Sequence, residues 1–526
     1  MTKKILLLNT LPEINYWKNN NNQRFVGMPL GLLSLGTALE KAGYSVKVID
    51  PVARQNYLEE IEKAVCDGIL WVGITTMTNG VASALEMSRF IKEIRGEVPI
   101  CWGGVHPTLF IESVLKEPSV DYAAWGEGER LVIELSEVIN GSRPANGVQG
   151  LSYKKPDGSV GFTPRSYYLD INEFGMPYYD ILDIEAYIHV NFKQLLPVAK
   201  KDRGKLISVN SAIGCPYHCS FCWNNHPAQK FRIKRLEVLI ENIDLVVKRF
   251  DPDVVHLQDD LFFADKKRFF AFLDEYDNRG YRFQWFTNCR ANYIADSYLG
   301  DEVLGRINDK CIWFGMGIES GSEEIRNRLR KQLGDKQIYK AADLLGRNNM
   351  FGAYSFMTGL PYEKLPDTIK TIRMIFKIKR LNPKSCFALN TFRPYPGSPL
   401  YEEAVRSGFV PPSDLEGWAV LQDDTISGLR RDIIPWLDVN QARYFENVVN
   451  AVNTNYSIIK KESFIKFLYN YTSDHYYLFS FKVRLFFNYW GSLFEVRLEN
   501  AFRNFSRKAY NAMFSWTLSF GRHSAK

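Results

Sequence analysis

The chain has 526 residues, 46% hydrophobic and 24% charged, a globular composition long enough for about two to four domains. Eight cysteines are too few and too irregularly spaced for a disulfide framework, and no run reaches the roughly 18 apolar residues that span a bilayer. The net charge of +7 sits wholly in residues 456–526, where eleven Lys or Arg meet four acidic residues, so the rest of the chain is neutral.

The start, Met-Thr-Lys-Lys and then Ile5-Leu6-Leu7-Leu8, is too short for a signal-peptide core and reads as a first strand. A cytoplasmic location is expected. Residues 1–140 alternate apolar runs (Lys4–Asn9, Val46–Asp50, Leu70–Thr75, Pro99–Gly103, Tyr122–Gly126) with helical patterns (Leu30–Ala42, Val81–Ile94, Arg130–Ile139). Strands spaced by helices predict an α/β domain with a parallel sheet covered on both faces, whose ligands bind at the strand carboxyl ends. Those ends are small and polar: Thr75-Thr76-Met77-Thr78, Gly103-Gly104-Val105-His106-Pro107 and Gly126-Glu127-Gly128-Glu129.

With Pro29-Leu30-Gly31-Leu32 opening the first helix, this set resembles the Rossmann-like (flavodoxin-like) cobalamin-binding domain that precedes many radical S-adenosylmethionine (SAM) cores. The resemblance implies that a corrinoid's nucleotide tail threads between sheet and loops, near Thr75, Thr76, Met77, Gly103, Gly104, His106, Gly126 and Glu127. The Asp-x-His-x-x-Gly motif that gives cobalt a lower histidine is missing. His106 is a tempting ligand, yet its Gly-Gly-x-His-Pro setting favours a loop-shaping role, so no histidine is expected beneath the cobalt. Thr76–Thr78 is the expected neighbour of that face.

Residues 141–200 read as a connector, with a hairpin turning at Asp157-Gly158. Residues 201–420 then show six strand-like runs: Leu206–Asn210, Val254–Gln258, Phe283–Asn288, Ile312–Ile318, Gly352–Thr358 and Cys386–Thr391. Helical patterns between them, including one long pattern over Glu323–Asn348, predict a partial (β/α)6 barrel with its active site at the strand C-termini. After the first run comes Gly214-Cys215-Pro216-Tyr217-His218-Cys219-Ser220-Phe221-Cys222-Trp223. Three thiolates on one loop are one short of a closed structural metal site. A [4Fe–4S] cluster with one open iron fits them, and a zinc knuckle completed by His218 or His226 is the alternative.

The spacing, with Phe221 before the last cysteine, resembles the signature of the radical SAM enzymes. In that family the open iron chelates SAM and cleaves it to a 5′-deoxyadenosyl radical. The resemblance implies SAM or substrate contacts at the later strand ends: Asp259, Arg290, Glu319, Ser320, and the Gly359-Leu360-Pro361 cradle. Asp259-Asp260 is equally a solvated loop or helix cap, and Ser322 with Glu323 or Glu324 could simply cap the next helix.

Residues 421–526 read as an α-rich segment without a chemical motif. Twenty aromatics interleave with its basic residues over 456–526, which suggests either a helical cap on the barrel or peripheral contact with the inner membrane face. No nucleic-acid-binding module is recognisable. The combined resemblance implies a cobalamin-dependent radical SAM methyltransferase acting on an unactivated carbon of a small-molecule or lipid-like substrate. Methylcobalamin would be the methyl source, and flavodoxin or ferredoxin the one-electron donor. An oxidative cyclase or ring-rearranging relative without methyl transfer, and an inactive corrinoid carrier or sensor, are the alternatives.

Overall fold

The computed structural model describes residues 3–12, 27–155, 157–165, 168–173, 175–192, 203–227, 229–422 and 432–438, with Ala442, Phe445, Val449 and Val452 placed beyond them. The basic, aromatic stretch 456–526 lies outside the described residues. The first sheet contains β1 (Lys4–Leu8), β2 (Ser45–Ile49), β3 (Trp71–Thr75), β4 (Ile100–Gly103) and β5 (Tyr122–Ala124). They run parallel in the order β2-β1-β3-β4-β5, the flavodoxin-like arrangement whose switch point lies between β1 and β3. Ile5, Leu6, Leu7 and Leu8 are all buried, as expected of a central strand covered on both faces.

Two tryptophans tie the opposite faces to their helices. Trp71 donates through Nε1 to Ser136 of helix Glu129–Ile139 at 2.9 Å, and Trp102 donates to Ser88 of helix Val81–Ile94 at 2.9 Å. The hairpin read as part of the connector joins this sheet instead: β6 (Leu151–Lys154) pairs antiparallel with β5, and β7 (Val160–Phe162) pairs with β6. An otherwise open edge of β5 explains the pairing, which buries Leu151 and Ser152.

The second sheet begins with β8 (His189–Asn191), antiparallel to β9 (Arg203–Val209). A two-stranded ribbon of β10 (Ala212–Ile213) and β11 (Arg232–Ile233) follows. The arc continues through β12 (Val254–Leu257), β13 (Gln284–Asn288), β14 (Cys311–Glu319), β15 (Phe351–Thr358) and β16 (Cys386–Thr391). From β9 onward, neighbours in this arc are consecutive in sequence and parallel, the pattern of a partial barrel. Its lower interior is plugged by packed rings: His256 stacks on Phe286 at 4.3 Å, and Trp313 meets Phe286 at 5.5 Å. The upper interior, toward the strand C-termini, stays open.

One long helix over 323–348 was expected; the structure has two, Glu323–Arg328 and Asp335–Arg347. Arg330 and Gln332 adopt left-handed backbone angles between them (φ 53° and 49°). The buried Arg326 guanidinium holds the break, donating to Leu333 O at 2.8 Å, to Ser320 O at 2.7 Å and to Asp335. After the barrel, residues 416–422 return to the first domain, where Trp418 packs against His106 at 5.5 Å and Phe110 at 5.0 Å.

The connector is anchored by a buried hydrogen bond from Tyr187 Oη to Asp50 Oδ2 at 2.7 Å. Burial already raises the Asp50 pKa, so losing a donor leaves its carboxyl poorly compensated. Tyr187→Phe should lower unfolding stability by about 1–3 kcal/mol, measured by urea denaturation. An unchanged midpoint would show that the connector is held by packing alone.

Candidate active site

The cysteine loop hangs from the β10–β11 ribbon. Gly214 starts it at φ +78°, where an added Cβ would also press against Lys230 O at 3.1 Å. Asp259, buried at the end of β12, accepts from Ser211 N at 2.6 Å, from Ala212 N at 2.9 Å and from the Ser211 hydroxyl. Farther along, Ser220 N donates to Leu329 O at 3.0 Å and Ser220 O accepts from Leu400 N at 2.9 Å. These bonds fix both limbs of the loop.

Cys215, Cys219 and Cys222 line one cavity of about 530 Å³ at the top of the barrel. Burial pushes the Cys222 thiol up to about 11 and raises Cys215 too, so metal must displace their protons to form thiolates. Of the two histidines that would complete a zinc knuckle, His218 is exposed and His226 stacks on Trp223 at 4.5 Å. Among the described residues no three His, Cys, Asp or Glu side chains gather around a single metal ion. All three thiols line this one cavity, where a multi-iron cluster could take them as ligands.

The charged groups of this cavity are Asp260, Arg290, Glu319 and Lys331, with Asn288 beside them. Arg290 stacks on the Tyr217 ring at 3.7 Å, lies 3.9 Å from Cys219 Sγ and donates to Lys331 O. Lys331 Nζ binds Glu319 Oε1 at 2.8 Å. Lys331 was invisible in the sequence because it sits where a continuous helix was expected. Gly334, the N-cap of the second helix, was the available signal for the break.

Several sequence candidates stand off the cavity. Asp259 spends its oxygens beneath the loop, and the neighbouring Asp260 reaches the cavity instead. Ser320 is fully buried, with its hydroxyl accepting from Ser322 N at 3.1 Å and facing Thr371 at 3.4 Å. Gly359 and Pro361 belong to a turn wrapped around the buried Glu363, which accepts from Gly359 N at 2.6 Å and Leu360 N at 3.3 Å. Thr358 and Thr368 hydroxyls also donate to it, at 3.1 and 2.9 Å.

A second cavity, of about 340 Å³, opens at the switch point of the first sheet. It slots between the strands and helices Leu30–Lys41 and Glu129–Ile139, with Leu33, Leu35, Leu131 and Val132 on the helix side. Gly73, Cys101, Gly103 and Ala124 keep the sheet side low; a Cβ on Gly73 would meet Leu7 and Trp71 at 2.8 Å. An apolar slot with a small-residue floor fits the flat nucleotide base of a corrinoid tail.

Of the sequence candidates, Thr75, Gly103, Gly104, Gly126 and Glu127 line this slot. Thr76, Met77 and His106 do not. Thr76 is turned into the interior, and Met77 is 51% exposed. His106 is enclosed by Phe110 and Trp418, its Nδ1 faces Thr78 Oγ1 at 3.3 Å, and burial lowers its pKa to about 3. Glu127 also joins the domains, taking Arg232 Nη1 at 2.8 Å and Leu169 N at 2.6 Å.

Two measurements test this geometry. Replacing Cys215, Cys219 and Cys222 together by Ala should abolish the visible absorbance and EPR signal of iron–sulfide-reconstituted protein; a retained signal would place the cluster on other thiols. Burial lifts Glu363 from 4.5 to about 7, so the folded chain keeps a proton that the unfolded chain releases. This group's stabilisation is complete below about pH 4.5 and is lost as pH rises through about 7. The stability difference between wild type and Glu363→Gln should therefore shrink from pH 5 to pH 8 in denaturant titrations; a constant difference would refute the shift.

Family models match the two sheets in turn: the B12 binding domain over residues 19–136 and the Radical SAM superfamily over residues 209–375. An uncharacterized methyltransferase of Pyrococcus horikoshii is 26% identical over 388 residues, 73% of this chain and 80% of that protein. The anaerobic magnesium-protoporphyrin IX monomethyl ester cyclase of Rubrivivax gelatinosus is 28% identical over 340 residues, 63% of this chain and 58% of that one. The chain thus spans less than two thirds of the cyclase. The solved structure of the radical SAM methyltransferase TsrM from Kitasatospora setae, with cobalamin and a [4Fe–4S] cluster bound, shares the fold. Its TM-score is 0.63 at 14% identity, covering 97% of this chain and 100% of that one. With a B12-binding sheet feeding a three-cysteine barrel, this chain belongs to the cobalamin-dependent radical SAM enzymes and uses SAM, a [4Fe–4S] cluster and cobalamin.

Proposed function

We propose that this enzyme methylates an unactivated carbon of a small molecule. The observation that carries the reading is the shared ribbon: β10–β11 holds the cysteine loop on one side and lines the corrinoid slot on the other. When bound, the cluster supplies reductive cleavage of SAM to a carbon radical, and cobalamin supplies a transferable methyl group. Cys215, Cys219 and Cys222 would hold the cluster. Arg290 and Lys331 offer cations suited to a carboxylate, and Glu319 offers a carboxylate suited to an ammonium. Away from that polar end the cavity is lined by Trp313, Met316, Ala353, Phe387 and Ala388. This uncharged lining suits an apolar substrate carbon and keeps water from a radical.

A flavodoxin- or ferredoxin-type protein is the electron donor this reading requires. Cyclisation without methyl transfer is the second reading, favoured by the Rubrivivax gelatinosus relative. By-products separate the two. A methyltransferase of this kind should yield S-adenosylhomocysteine and 5′-deoxyadenosine in equal amounts with methylated product, measured by mass spectrometry. 5′-Deoxyadenosine without S-adenosylhomocysteine during turnover would move the assignment to cyclisation.

A further inference from the structure

The corrinoid slot is not completed by the first domain alone. Asn210, Ile213, Gln229 and Lys234, all from the barrel domain, line it too. Lys234 follows β11 directly, and its ammonium donates to the neutral Asn210 Oδ1 at 2.9 Å. Burial lowers its pKa despite the pull of Asp259, whose oxygens are already taken by Ser211 and Ala212. The carboxylates lining the slot are engaged elsewhere: Glu127 with Arg232, and Glu129 with the Ser34 hydroxyl at 2.8 Å. A cation held in a partly dehydrated cavity against a neutral amide is under-compensated, and an entering anion supplies what is missing.

Cobalamin has one anionic group in its periphery, the phosphodiester that joins its nucleotide tail to the corrin. We propose that Lys234 binds this phosphodiester, so that the cofactor is clamped across the domain boundary by a residue of the barrel. The inference rests on cobalamin occupying the slot, and it is independent of the reaction catalysed. Lys234 is a binding residue here, with no part in the chemistry. Its backbone N–H also donates to Ser211 O at 2.9 Å, beside the Asp259 grip on the cysteine loop.

The test uses full-length, cluster-reconstituted protein titrated by absorbance with hydroxocobalamin and with dicyanocobinamide, which lacks the nucleotide loop and its phosphodiester. Lys234→Gln should weaken hydroxocobalamin binding about tenfold, the scale of one lost charge-assisted hydrogen bond, and leave cobinamide binding unchanged. Lys234→Arg should restore most of the loss. Equal losses for both ligands, or no loss for either, would overturn the phosphodiester contact. A second readout is the ³¹P NMR resonance of hydroxocobalamin bound at saturation. It should shift between wild type and Lys234→Gln, and an unmoved resonance would overturn the proposal. Iron content and circular dichroism identify a variant that fails to fold, in which case Lys234→Met, also uncharged, replaces it in both the binding and the ³¹P comparisons. Wild-type protein that binds no hydroxocobalamin would remove the cofactor assignment together with the proposal, a result distinct from lost selectivity.

Discussion

The grip of Asp259 on Ser211 and Ala212 is the constraint from which the active site is built. A buried carboxylate that accepts two backbone N–H bonds and a hydroxyl is held by its geometry even though burial raises its pKa. It ties the end of β12 to the residues just before the cysteine loop. Arg268 closes the same knot from outside, donating to Lys234 O at 3.0 Å and Ser211 O at 3.3 Å. Loss of this carboxylate would leave several buried donors unpaired, a larger penalty than the loss of one surface contact.

Charge is distributed unevenly around the two cavities, and this gives each its chemical character. In the barrel, Asp260, Arg290, Glu319 and Lys331 crowd toward the cysteine wall. Elsewhere the lining is uncharged, with Ser355 and Ala388 in register on adjacent strands. Within one enclosure, the polar end suits the charged amino-acid portion of SAM, and the remainder carries no charge. In the first domain the contrast is between an apolar slot and a polar mouth, which suits a ligand with a flat tail and a hydrated ring.

The fold was largely legible because its signals are periodic. Apolar runs of strand length separated by helical patterns gave both parallel sheets, and the cysteine spacing stood out without tertiary context. The misses have physical causes. The Leu151–Phe162 hairpin joins a sheet edge, and pairing of that kind leaves no mark within the hairpin's own sequence. Helix periodicity continues through 329–334, so the break that delivers Lys331 depends on Arg326 reaching Leu333 and Ser320 through space. Strand-end position alone also could not distinguish side chains facing the cavity from those holding it together. Asp259, Ser320 and Gly359 sit at the anticipated ends, yet their polar atoms are spent on internal bonds.

That division between facing and holding also accounts for His106, whose Gly-Gly-x-His-Pro setting reads as loop-shaping and which does not line the slot. A histidine ligand must present one ring nitrogen outward and fix the other. Here Nδ1 meets Thr78, while the ring is pressed between Phe110 and Trp418, the latter brought by the returning segment 416–422. Trp418 is itself buried, and Arg89 bonds both Glu117 and Glu416 beside it. The histidine thus serves as part of the seam that docks the chain's return onto the first domain. The face of the sheet toward the corrinoid is left to Thr75 and the glycines of 103–104 and 126, which can approach a large planar ring closely but offer it no nitrogen ligand.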